Sequence, residues 1–214
     1  MYHMFNHRIQ RLTVQNSVTT TPPIECRIPH HSSSINSNLS PTYYRNASVE
    51  SSVADSKASI EYIQSLNPTG TIVRPIVTPR FTPSCTSECL SAIGKLARDE
   101  DAYIQTHISK NVNKIALVHK LFLDAKSYAD IYETLGLLGA KTILAHAVYL
   151  SAEEHNTIKQ SGSKISHYPA SNTAITSGCC PVHTLLDKGH VIGLGTDVSG
   201  TFHPSILENV RHAI

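Results

Sequence analysis

From about residue 50 onward, short apolar runs alternate with stretches in which apolar residues recur at helical spacing. Three runs stand out: Ala102-Tyr-Ile-Gln-Thr-His107, Thr142-Ile-Leu-Ala-His146 and Val191-Ile-Gly-Leu-Gly-Thr-Asp197. Each is short, apolar and closed by one polar side chain. A buried parallel strand reads this way when it delivers a group to its carboxyl end. Residues 71–78 and 163–167 bring the predicted strands to about five. Between them the period changes to that of a helix. Residues 56–66 place Ala58, Ile60, Ile63 and Leu66 near one face, and Asn67-Pro-Thr-Gly70 ends the run. Residues 87–99 turn Leu90, Ile93, Leu96 and Ala97 inward, with Glu88 near the helix start. Helices are also predicted over 112–122, over 128–138, over 181–186 and from Pro204. Ser151-Ala-Glu-Glu154 has the form of a capping box and marks another start.

Strands separated by helices imply a parallel sheet with right-handed crossovers, hence the α/β class. Polar residues at the carboxyl ends of successive parallel strands converge on one face of a (β/α) barrel. A complete barrel usually takes about 250 residues, and this chain has 214. The expectation is therefore an incomplete TIM-type barrel. Residues 1–37 show neither hydrophobic period and are rich in Ser, Thr, Asn and Pro. They read as an irregular or disordered segment.

Composition narrows the partners. A net charge of +2, with 16% charged residues and no basic stripe, points away from nucleic acid and from anionic membranes. Neither a leader nor a run of 18 apolar residues is present, so no signal peptide and no membrane span are expected. The five cysteines are odd in number and form no paired C-x-x-C framework, which reads as free thiols in a reducing cytoplasm.

His107, His146 and Asp197 are the candidates for chemistry. Taken singly, a polar residue at a strand end is more often a satisfied core or capping group. Jointly, two imidazoles and a carboxylate suit zinc or iron, and an open coordination position would activate water. Gly193 and Gly195 would let the last strand pass close to its neighbours.

Five segments in order carry a family resemblance: Thr78-Pro-Arg-Phe81, Gln105-Thr-His-Ile-Ser109, Leu144-Ala-His-Ala-Val-Tyr-Leu-Ser151, His167-Tyr-Pro-Ala-Ser-Asn172 and Gly193-Leu-Gly-Thr-Asp-Val198. From about residue 38 onward the chain resembles the guanine deaminases of the amidohydrolase superfamily, in their fungal form. On that resemblance the barrel spans residues 38–214 and lacks its first strands and its C-terminal end. The resemblance implies a hydrolase in which one zinc ion activates water to convert guanine to xanthine and ammonia. It implies His107 and His146 as zinc ligands, and Asp197 as a ligand that also accepts the proton of the attacking water. Arg80 and Phe81 match the pair that binds guanine, the guanidinium donating to the purine carbonyl oxygen. Another purine, a pterin or an s-triazine ring is the alternative substrate.

The departures imply impairment. The family supplies a His-x-His pair from its first strand, and this sequence contains none. Its proton-shuttling glutamate is replaced by Lys110. An ammonium and a dication ~5 Å apart repel by roughly 6 kcal/mol at an effective dielectric of ~20. The family's His-Cys-Pro reads His167-Tyr168-Pro169, so its thiol is absent. These differences leave a second expectation, a non-catalytic remnant that associates with a full-length relative. A homodimer is the other partner expected.

Overall fold

The computed structural model describes residues 48–198, 200–202 and 204–213. The expectation for residues 1–37 lies outside them. Contacts divide the described residues into two compact units, one formed by residues 48–106 with Tyr132–Leu137, the other by His107–Ile131 with those from Leu138 onward. The strand order is β1-β2-β3-β4-β5, with β1 Ile76–Val77, β2 Tyr103–Ile108, β3 Thr142–His146, β4 Lys164–His167 and β5 Ile192–Leu194. The chain is thus α/β, as its alternation of periods predicts.

In the first unit, α1 (Val49–Leu66) begins seven residues before the predicted start, capped by Ser48, whose hydroxyl accepts from Ser51 N at 3.1 Å. Hydrophobic period missed this stretch because, after the buried Val49, its inward face continues in serines. Ser52 and Ser56 continue the inward stripe of Ile60 and Ile63. Their hydroxyls donate to the carbonyls of Ser48 and Ser52, at 2.9 and 2.6 Å, so each is satisfied within the helix. β1 is shorter than predicted. Residues 71–74 form local bonds instead, from Asn67 Nδ2 to the Val73 carbonyl and from Arg74 Nε to the Gly70 carbonyl. Pro75 offers the ladder no N–H. Ile76 and Val77 pair, in parallel, with Tyr103 and Ile104. Helix α2 (Ser87–Asp99) spans the predicted residues, with Thr86 Oγ1 accepting from Cys89 N. Cys89 is disulfide-bonded, which corrects the expectation of thiols throughout. Sequence spacing reports nothing of spatial approach.

The second unit holds the end of β2, α3 (Val112–Leu121), most of α4 (Tyr128–Thr134), β3, α5 (Ala152–Ser161), β4, α6 (Pro169–Ala174), α7 (Val182–Asp187), β5 and α8 (Ile206–His212). β3 pairs in parallel with β4 from Ile143↔Lys164, and β4 with β5 from Ile165↔Ile192. The predicted capping box forms: Ser151 Oγ accepts from Glu154 N at 3.2 Å, and Glu154 Oε2 accepts from Ser151 N at 2.8 Å. Glu154 Oε1 also accepts from Ala129 N, so one buried carboxylate joins the starts of α4 and α5. The last strand ends at Leu194, not at Asp197: its partner β4 ends at His167, whose carbonyl takes the last ladder bond from Gly195 N, and Asp197 has a left-handed backbone. Among the described residues, no helix is long and apolar enough to cross a membrane.

Candidate functional site

Three strands deliver the candidate donors, and each delivers them through strained backbone. Ser109 after β2, His146 and Ala147 at the end of β3, and Asp197 after β5 have φ of 43°, 76°, 49° and 54°. Side chains other than glycine seldom adopt this left-handed region. Such strain persists where surrounding contacts hold it, and it clusters at functional sites. Period and composition carry no signal of it.

His146 is fully buried, and its ring stacks on that of His107 with centroids 5.0 Å apart. Its Nδ1 lies 2.9 Å from Asn172 Oδ1. With the amide oxygen accepting, Nδ1 carries the proton and Nε2 presents its lone pair. That Nε2 makes no hydrogen bond among the described residues, and neither do Asn172 Nδ2, Ser109 Oγ or His167 Nδ1. Burial, with the charges of His107 and Lys110 adding to it, pushes His146 down to about 2. Burial alone takes His167 down to about 4. Both imidazoles are thus held neutral, the form that can accept a proton or ligate a cation.

Asp197 is engaged differently. Its Oδ2 accepts from Ser171 Oγ at 2.5 Å and lies 3.6 Å from Lys110 Nζ. Lys110 is only 8% exposed. Tyr168 lies beside His146 with ring centroids 5.0 Å apart, and burial raises its phenol above the usual range. Of the two glycines expected to allow close approach, Gly195 does so: a Cβ there would stand 2.3 Å from Tyr168 Cε1. Cys180 donates its thiol to the Ala147 carbonyl, and burial pushes it up to about 12, which makes it inert as a nucleophile.

Ser171 and Asn172 were not singled out from the sequence, although both stand in the segment His167–Asn172 that carried the resemblance. They are neighbours on α6, which begins where β4 ends, and β4 lies between β3 and β5. From that place Asn172 reaches His146 and Ser171 reaches Asp197. A six-residue polar helix shows no amphipathic period, so only its proline at the first turn marks it.

Against a zinc ion, this donor set falls short. The His146 Nε2 lone pair suits a metal, and His107 is beside it. Catalytic zinc takes three protein donors and an open position. No group of three donors capable of holding a metal occurs among the described residues, and the third candidate carboxylate faces an ammonium. Arg80 and Phe81 belong to the other unit. There the Arg80 guanidinium lies over the Phe81 ring, 5.6 Å from its centroid.

A family model described as Amidohydrolase family matches residues 10–214. A probable guanine deaminase of Schizosaccharomyces pombe is 49% identical over 176 residues, 82% of this chain and 33% of that protein. The chain thus spans about a third of the length of this relative. The solved guanine deaminase of C. acetobutylicum, with guanine bound in its active site, superposes with a TM-score of 0.77 at 34% identity, over 82% of this chain and 41% of the other. Atrazine chlorohydrolase of Arthrobacter aurescens, complexed with zinc, gives a TM-score of 0.65 at 25% identity, over 72% and 33%.

Proposed function

Because this chain belongs to the amidohydrolase family, we propose that it carries part of a guanine deaminase-type site, which would convert guanine to xanthine and ammonia. The observation supporting this reading is the pair of stacked imidazoles at the carboxyl ends of β2 and β3, with the His146 tautomer fixed by Asn172. In this reading His107, His146 and Asp197 are the metal donors, and Asp197 is the catalytic carboxylate. Zinc, held by the atrazine chlorohydrolase, is the cation a complete site of this type would use, and the described donors of this chain fall short of holding it. Arg80 offers a planar fork of N–H donors to the purine carbonyl, with Phe81 beneath it as an apolar face. The thiols of Cys179 and Cys180 support a cytoplasmic working compartment, and the bonded Cys89 weighs against it.

The Lys110–Asp197 ion pair favours a second reading: a non-catalytic relative of the enzyme that associates with a full-length subunit or a second copy of itself. Losing a positioned proton shuttle alone costs on the order of 10²–10⁴ in rate. The test is guanine binding and ammonia release by the purified chain, with adenine, a pterin and an s-triazine as competitors. Guanine should bind in preference to the other rings, and Arg80→Ala should weaken it roughly tenfold. Ammonia release should stay at background in this chain and in Lys110→Glu. Equal binding of adenine would remove the guanine reading, and robust turnover by either protein would remove the impaired one.

A further inference from the structure

We propose that the Lys110 ammonium is the resident cation of this centre, so that the chain holds its strand-end carboxylate neutralised without a metal. The proposal rests on the reading of His107, His146 and Asp197 as the donor residues. Lys110 follows Ser109, whose left-handed backbone ends β2, and its side chain is almost wholly withdrawn from water. A buried ammonium requires an anionic partner. Asp197 supplies one at 3.6 Å, while Ser171 binds the same Oδ2 at 2.5 Å. The oxygen that a dication would approach therefore already has two partners, one of them positively charged. Among the described residues, the two remaining donors, His107 and His146, make a two-coordinate site, which is below the requirement of zinc. Lysine does not merely weaken a metal site here. It takes over the charge-balancing task that the metal would perform.

Zinc uptake tests this without reference to turnover. The full chain and its Lys110→Arg and Lys110→Met variants, each shown folded by circular dichroism, are titrated with zinc chloride by calorimetry. Bound metal is then measured after dialysis, and His146→Ala in each background subtracts zinc held by histidines elsewhere. The unsubstituted chain and Lys110→Arg should hold below about a tenth of an equivalent at the His146-dependent site. Lys110→Met, which removes the charge, should bind there at least roughly tenfold more tightly, and adding Asp197→Asn should abolish the gain. A full His146-dependent equivalent in the unsubstituted chain would overturn the inference and leave the donor reading standing. No gain in Lys110→Met would overturn the donor reading, and the inference with it.

Discussion

At the scale of single residues, the centre depends on what holds each side chain. Asn172 is almost fully buried and presents its amide oxygen to His146 Nδ1. Asn172→Ala should cost about 1–2 kcal/mol in stability, since it strands a buried N–H. It should also shift His146 away from the Nδ1-protonated tautomer, a change visible in imidazole nitrogen NMR. An unchanged tautomer would mean that another contact fixes the ring. The histidines at 107 and 146 were legible in the sequence because each ends an apolar run, and apolar runs are a local property. Asn172 and Ser171 were not, because their value lies in what they reach across β4. Lys110 was legible as a departure, but its pairing with Asp197 was not, since sequence spacing does not report which loops meet.

At the scale of elements, local signals predicted best. The α2 boundaries and the α5 start followed from caps and helical period. The early half of α1 was lost because buried serines read as polar, and β1 shrank because Pro75 and local side-chain bonds competed with the ladder. The capping box at α5 gives an internal comparison. Ser151→Ala removes one cap and should cost about 1 kcal/mol. Glu154→Ala frees the amides of both Ser151 and Ala129, and should cost about 2–3 kcal/mol. Urea midpoints measure both, and equal losses would show that the tie to α4 contributes nothing.

At the scale of the whole molecule, stability should depend on pH through its buried histidines. His155 and His190 face each other, with Nδ1 and Nε2 3.1 Å apart, and burial lowers both. The positive charges of Lys159 and Lys188 lower His190 further. His167 is lowered to about 4. The unfolded chain takes up protons near pH 6.5, where the folded chain resists them. The stabilisation from these neutral rings is therefore complete above that pH and is lost as pH falls. For His167 the loss continues to about pH 4 and amounts to about 3 kcal/mol. Denaturant midpoints between pH 7.5 and 4.5 should fall steadily, and His167→Gln should flatten the slope. A pH-independent midpoint in the unsubstituted chain would refute the assignment.

The placement of α6 has one more consequence. Its consecutive residues Ser171 and Asn172 serve the strands on either side of β4. Inserting or deleting a single residue upstream of them in α6 would turn both by about 100°, so the two attachments would be lost together and never singly. The outer pair of this centre is therefore inherited as a unit, gauged by one short turn of helix, whatever cation stands between its members.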